Sequence, residues 1–425
     1  MERKVIIICP NIPPNPGIGG RRWAKFAKYL LRLGRDVSVY GFKYTEDQKK
    51  SNWCHDIQEL EDQKRLHLIP HNFPEVLRKY PTSISKKVAY RVQLASNKVK
   101  VKGNYYDPSI FWSERLIPIL EKEIKTTKKE IVILATGAPF TYLNHLIPLK
   151  EKYGLKLIAD FRDPWTENEI TYGYKNLPKN RLLFEKEMEL AVFNEFDALL
   201  NVYNEQDIYV KSLISDHAKC HVIPNGYDPE DLKTSENIPE RKNGKIRFVF
   251  AGTLYNDAAY GFDLLIDMLD NIEQSDNEIY QRLEFVFFGN MSDYSKRIFG
   301  TKHAAVLKYE GFIPLNEVYS EIRNADFSMV FFTKEMNYTM NTKFLECINL
   351  KRKILIFSNE GFITDHVESN EIGYAMTPEK YRNSFQNVLE DYKNGTHKAI
   401  PLSYDTSNFD VQNLTQRISD IIDSL

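Results

Sequence analysis

Apolar residues in this chain gather into short continuous runs, and the stretches between them carry helical spacing. The first run, Val5-Ile6-Ile7-Ile8-Cys9, ends in a loop rich in proline and glycine, after which residues 22–33 follow a helical period. A run this short, apolar on both faces and closed by turn residues, predicts a strand buried in a parallel sheet. The same alternation returns at 37–40, 131–135, 155–159 and 198–202. A second series opens with Ile246-Arg247-Phe248-Val249-Phe250-Ala251-Gly252 and continues through 283–288, 327–332 and 354–357. Strands alternating with helices predict doubly wound α/β sheets with a ligand crevice at the C-terminal strand ends. Two Rossmann-like halves follow, 1–226 and 245–400, joined by a polar linker over 227–244. The mouth between them is the expected site.

Residues 45–130 fit this alternation poorly: they show no clear strand and are rich in lysine, arginine and aromatics. Lys86, Lys87, Arg91, Lys98, Lys100 and Lys102 fall close together, with Tyr90, Tyr105 and Tyr106 among or beside them. One reading is a solvated helical excursion; the sharper one is a contact through 86–106 with anionic lipid headgroups, each basic residue contributing about 1 kcal/mol. Nucleic acid ranks behind both, because the formal net charge of the whole chain is -1.

A length of 425 residues exceeds what one core usually supports, and 42% hydrophobic with 13% aromatic residues argues against disorder. Cys9, Cys54, Cys220 and Cys347 match no metal-ligand spacing, so reduced thiols and a reducing compartment are expected. The apolar run after Met1-Glu2-Arg3-Lys4 is too short for a signal segment, and no apolar stretch reaches about 18 residues. These features predict a cytoplasmic chain that crosses no membrane.

Four segments carry side chains suited to chemistry. In Asn341-Thr342-Lys343-Phe344-Leu345-Glu346 a helix is predicted to begin, and Lys343 and Glu346, three residues apart, share one face. Free N–H groups, the positive dipole end and a lysine together form a site for phosphate oxygens. Glu346, one turn inward, is placed to accept hydrogen bonds from sugar hydroxyls. The competing reading is a capped surface helix with an i,i+3 ion pair. Pro16-Gly17-Ile18-Gly19-Gly20-Arg21-Arg22 follows the first strand, where bare backbone N–H groups can approach an anion. It fails the dinucleotide fingerprint because Arg22 stands where the third glycine belongs, so NAD is not expected. Ala159-Asp160-Phe161-Arg162-Asp163-Pro164-Trp165 closes another strand; its acids and arginine either face the crevice or serve as a helix N-cap at Asp163-Pro164 and an Asp160–Arg162 pair. His145 follows the Gly137-Ala138-Pro139 turn, a place where a lone histidine is more often structural.

The order of these motifs resembles that of retaining GT-B glycosyltransferases of family 4, which includes sucrose synthases and bacterial mannosyltransferases, and in particular its bacterial cell-surface polysaccharide branch. The matching segments include the glycine loop, residues 159–165, Val222-Ile223-Pro224-Asn225-Gly226-Tyr227-Asp228, Phe250-Ala251-Gly252-Thr253-Leu254-Tyr255, Tyr309-Glu310-Gly311-Phe312-Ile313-Pro314, Ala325-Asp326 and Thr342-Lys343-Phe344-Leu345-Glu346. The resemblance implies an α/β GT-B fold, two Rossmann-like domains facing a central cleft, with 401–425 returning to the first. It implies a metal-independent, cofactor-free transferase that moves a sugar with retention from a nucleoside-diphosphate sugar to a glycan or lipid-linked glycan acceptor. Surface polysaccharide synthesis at the inner face of the membrane would be its setting. Lys343, His145 and Asp163 take the catalytic places. Gly19, Gly20, Thr253, Phe312, Ile313, Asn341, Thr342, Lys343 and Glu346 take the nucleotide-sugar places, and Arg21, Asp160 and Arg162 the acceptor side.

Departures from that pattern matter too. Thr253 and Tyr260 stand where the family commonly has an arginine and a lysine, and Tyr338 where many members carry a second glutamate. Lys351, Arg352 and Lys353 either substitute for the missing cations or only face solvent. The alternatives are therefore a catalytically inert GT-B protein that binds a nucleotide sugar or a partner, and a nucleotide-sugar epimerase of the same architecture.

Overall fold

The computed structural model describes residues 3–44, 50–78, 81–168, 173–233, 244–254, 259–299, 302–333, 339–398 and 400–425. The chain divides into two compact units, Met1–Pro224 with Leu414–Leu425, and Asn225–Asn413. Tyr255 and Tyr338, noted in the sequence, lie outside the described residues, as does 234–243 of the expected linker; its earlier part forms a short helix, Pro229–Lys233.

The first unit is built on seven parallel strands: β1 (Arg3–Ile8), β2 (Asp36–Phe42), β3 (Leu66–Ile69), β4 (Glu130–Gly137), β5 (Lys156–Phe161), β6 (Ala198–Asn201) and β7 (Cys220–Val222). Their order is β3-β2-β1-β4-β5-β6-β7, with Val5 paired to Val37 on one side and Val132 on the other. Val5 to Ile8 are wholly buried, which is why β1 reads as an unbroken apolar run. The excursion 45–130 contains a strand after all: β3 pairs with β2, and its half-exposed Leu-His-Leu-Ile sequence gives no apolar run. Trp112 ties the excursion to the sheet, its ring 4.8 Å from Phe42 and 5.5 Å from Tyr142.

The helix Val411–Ser424 brings Leu414, Ile418 and Ile422, all fully buried, into this unit. Arg35 donates to Asp423 at 2.7 Å and to Ser419 at 2.9 Å, and Arg417 donates to the Val222 carbonyl at 2.7 Å.

The second unit holds six parallel strands: β8 (Ile246–Ala251), β9 (Leu283–Phe288), β10 (Leu307–Gly311), β11 (Phe327–Phe331), β12 (Ile354–Phe357) and β13 (Gly373–Met376), in the order β10-β9-β8-β11-β12-β13. Phenylalanines stack across its middle: the Phe248 ring lies 4.4 Å from Phe285 on β9 and 5.2 Å from Phe327 on β11. Such pairs add about 0.5–1.5 kcal/mol each beyond the area they bury. All four cysteines are free thiols, and burial pushes those of Cys9 and Cys347 up to about 12. No helix among the described residues is long and apolar enough to cross a membrane.

Candidate functional site

Three neighbouring strands of the second unit end in glycine. Gly252 follows β8 with φ +152, Gly289 follows β9 with φ +104, and Gly311 ends β10 with φ +75. Backbone hydrogen bonds join them: Gly252 N donates to Phe288 O at 2.9 Å, and Gly289 N to Gly311 O at 2.6 Å. A Cβ on Gly289 would sit 2.2 Å from the Gly252 carbonyl oxygen, so only glycine allows the approach. Together they form a shelf without side chains at the C-terminal edge of the sheet, where ligands bind in doubly wound folds.

Lys343 lies across this shelf. Its Nζ stands 5.3 Å from the Phe250 ring centroid, and a Cβ on Gly252 would fall 2.1 Å from it. Burial lowers the pKa of the ammonium, while Glu346 pulls it back up. The lysine belongs to the helix Thr342–Asn349, whose N-cap is Asn341: its Oδ1 accepts from Phe344 N at 2.9 Å. That cap leaves the N–H groups of Thr342 and Lys343 at the open end of the helix. Glu346 is half-buried, and its Oε1 accepts from the hydroxyl of Tyr319 at 3.1 Å. Thr253 continues directly from Gly252, while Phe312, 52% exposed, and Ile313 continue from Gly311. The structure therefore collects Thr253, Phe312, Ile313, Asn341, Thr342, Lys343 and Glu346 at one edge of one sheet.

Phe250, Tyr319 and Gly289 belong to the same arrangement and were not singled out from the sequence. Phe250 opens one of the matching segments but is given no role in the site. Tyr319 sits mid-helix with no local signal, and a single glycine after an apolar run is common.

Lys351, Arg352 and Lys353 do not stand in for absent cations. They precede β12 and so lie at the opposite, N-terminal edge of the sheet; Lys353 Nζ pairs with Asp391 at 2.6 Å, and Arg352 donates to the Lys351 and Arg323 carbonyls. That edge also holds Asp270, Glu273 and His303, whose ligand atoms lie close enough together to hold an ion, though the Lys302 ammonium already stands 2.7 Å from Asp270.

In the first unit, the glycine loop forms a short turn, Ile18–Gly20, leading into the helix Arg21–Arg32. A Cβ on Gly19 would meet Arg162 Nη1 at 2.9 Å, so the guanidinium rests against the loop; Arg162 in turn donates from Nε to Asp163 at 3.1 Å. Gly20 is packed on the Asn11 backbone, 2.2 Å from Asn11 O to a Cβ position, and is buried.

Asp160 is fully buried and takes hydrogen bonds from Arg22 (3.2 and 3.0 Å), Trp23 Nε1 (2.7 Å) and Thr136 (2.9 Å). Of the two readings of this segment, the Asp160–Arg162 pair with a helix N-cap does not form: each residue takes another partner, and no helix starts at Asp163-Pro164. Arg22, considered in the sequence only for breaking a fingerprint, also donates to the carbonyls of Ile223 and Pro224, both at 2.7 Å. Arg21 is buried, with its guanidinium 6.0 Å from the Trp53 ring. His145 is exposed on the turn Thr141–Leu146. The start of that turn is held by Asp107, which accepts from the N–H groups of Phe140 and Thr141, both at 2.9 Å.

No family model matches the sequence, and no curated protein does. Solved structures do. HepE of Anabaena, in complex with UDP, superposes with a TM-score of 0.59 at 12% identity, covering 99% of this chain and 100% of that one. The fold is GT-B. WaaG, a glycosyltransferase involved in lipopolysaccharide biosynthesis, gives a TM-score of 0.54 at 14% identity over 98% of this chain and 99% of its own. A Listeria monocytogenes structure assigned as a UDP-N-acetylglucosamine 2-epimerase gives 0.56 at 11% identity over 99% and 96%. At these identities the likeness establishes the GT-B architecture of two Rossmann-like domains.

Proposed function

We propose that this chain is a glycosyltransferase that moves a sugar, with retention, from a nucleoside-diphosphate sugar to a glycan or lipid-linked glycan acceptor in surface polysaccharide synthesis. The observation that carries the proposal is the Lys343 ammonium, held at a helix N-terminus over the Gly252 shelf of a GT-B fold. As the bond between the anomeric carbon and the phosphate oxygen breaks, its electron pair leaves on the diphosphate, the acceptor hydroxyl oxygen bonds to the anomeric carbon, and the hydroxyl proton passes to the departing phosphate oxygen. Lys343 and the N–H groups of Thr342 and Lys343 stabilise that charge, an electrostatic effect that is usually the largest in such catalysis. No metal is required for this step. Glu346, oriented by Tyr319, receives the ribose hydroxyls. The Phe312-Ile313 backbone borders the base, and Thr253 the phosphates. In the first unit, Gly19 with Arg162 and Asp163 forms the surface assigned to the sugar and acceptor. Gly20, Asp160 and Arg21 act from beneath it, and His145 is assigned to the transferred sugar.

A thermal-shift screen of nucleotides and nucleotide sugars tests the binding half. A true ligand at about 100 times its dissociation constant stabilises by about 2.7 kcal/mol; a flat response across nucleoside diphosphates and their sugars would refute it. The likeness to the Listeria structure keeps an epimerase as the second reading. Product analysis without acceptor separates the two, since an epimerase returns an isomeric nucleotide sugar and a transferase does not. Thr253 and Tyr260, in place of cations, favour an inert binder instead if ligand binding occurs without donor turnover.

A further inference from the structure

The helix Ile84–Lys100 has two faces. Tyr90, Gln93, Leu94 and Asn97 turn inward: Leu94 packs on the core of the first unit, and Asn97, 1% exposed, reaches the Tyr105 carbonyl at 3.4 Å. Its C-terminal end is pinned by Arg181, which donates to the carbonyls of Lys102 at 3.1 Å and Gly103 at 3.0 Å. The opposite face is apolar and bare. Ile84 is 83% exposed, Val88 56%, Val92 65% and Val99 88%. At about 100° per residue these four, with Ala95, fall within an arc of roughly 80°. Lys87 and Arg91 run along one flank of the stripe, Lys98 further on lays its ammonium 5.1 Å from the Tyr105 ring centroid, and the helix contains no aspartate or glutamate. Tyr105, part of the cluster seen in the sequence, is buried at 3% exposure and does not reach this surface.

β-Branched residues at helical surface positions gain nothing from water, so the stripe calls for an occupant. A second copy docked on the same face would bring two rows of cations together. A nucleic-acid strand is read by exposed aromatics beside the cations, whereas here the centre of the face is aliphatic. Aliphatic residues flanked by lysine and arginine suit the boundary between acyl chains and anionic headgroups.

We propose that the Ile84–Lys100 helix anchors the chain to a membrane surface, laying Ile84, Val88, Val92 and Val99 into an anionic bilayer with Lys87 and Arg91 on the lipid phosphates. Such anchoring does not depend on whether the chain transfers a sugar.

The test is flotation of the full chain with vesicles of phosphatidylcholine alone and of phosphatidylcholine mixed with phosphatidylglycerol. Wild type should float with the anionic vesicles and not with the neutral ones. The triple variant Ile84→Ser/Val88→Ser/Val92→Ser, whose side chains make no core contact, should melt with wild type yet lose at least tenfold in binding. Lys87→Glu/Arg91→Glu should lose binding in the same way. Anionic-vesicle binding left intact in the triple variant overturns the proposal, as does absence of binding by wild type. A wild-type dimer that the triple variant converts to monomer, with no vesicle binding by either, would assign the stripe to a second copy instead.

Discussion

The Lys343 ammonium stands 5.3 Å from the centroid of the Phe250 ring, directly above Gly252, where a Cβ would come within 2.1 Å of it. The aromatic face and the missing side chain together decide where the cation rests. Gly252→Ala should therefore do two things: strain a backbone at φ +152 and push the lysine off the shelf. The first effect alone costs on the order of 1 kcal/mol. Gly395→Ala, at φ +70 with nothing within 4 Å of its Cβ, isolates that backbone cost. Donor turnover should fall at least tenfold in Gly252→Ala and stay at the wild-type level in Gly395→Ala; equal turnover in both would detach the shelf from the chemistry.

Tyr319 acts on Glu346 rather than on a ligand. Removing its hydroxyl in Tyr319→Phe deletes the 3.1 Å bond to Oε1. A bond of this kind contributes about 1 kcal/mol, or about fivefold in the donor KM, with kcat little changed. A lowered kcat at unaltered KM would place Tyr319 elsewhere in the mechanism.

Arg22 and Asp160 form a buried pair at 3.0 Å that ties β5 to the helix Arg21–Arg32 and to the carbonyls of Ile223 and Pro224. Breaking such a pair from one side leaves a buried charge, at a cost of about 3–5 kcal/mol. Urea unfolding of Arg22→Met should show a loss of that size, and a loss below about 1 kcal/mol would mean that Asp160 finds other partners.

Much of this was legible in the sequence, and what was not has a common cause. The strands that announced themselves as apolar runs, among them β1, β4, β8 and β11, are interior strands covered on both faces. The four that did not, β3, β7, β10 and β13, are the outermost strands of the two sheets. β3, β7 and β10 are short and half solvated, so sequences such as Leu-Lys-Tyr-Glu-Gly at β10 carry no continuous run, while β13 is mostly buried but only four residues long. The site divides along similar lines. Lys343 and Glu346 were visible because one local element holds both; the Tyr319 contact and the Arg22–Asp160 pair join residues 27 and 138 positions apart and leave no local trace.

Glu189 gives the first unit a pH dependence. It is buried, accepts from Thr166 N and Tyr209 at 3.2 Å each, and burial pushes its carboxyl from 4.5 up to about 7. The native state thus holds a proton that the unfolded chain has already released. Stability is full below the unfolded value and falls as pH rises through about 7, by on the order of 3 kcal/mol. Glu189→Gln should flatten the difference in unfolding free energy between about pH 5 and about pH 8 relative to wild type. Parallel pH profiles for the two proteins would show that Glu189 is ionised in the fold.

The central claim is that Lys343 carries the charge of the leaving diphosphate, and Lys343→Met tests it most directly. Methionine keeps the bulk above Phe250 while removing a desolvated ammonium, so the melting temperature should hold or rise. Donor hydrolysis or transfer, followed over a panel of nucleoside-diphosphate sugars, should fall at least a hundredfold against wild type. Turnover equal to wild type in a folded Lys343→Met protein would contradict the account.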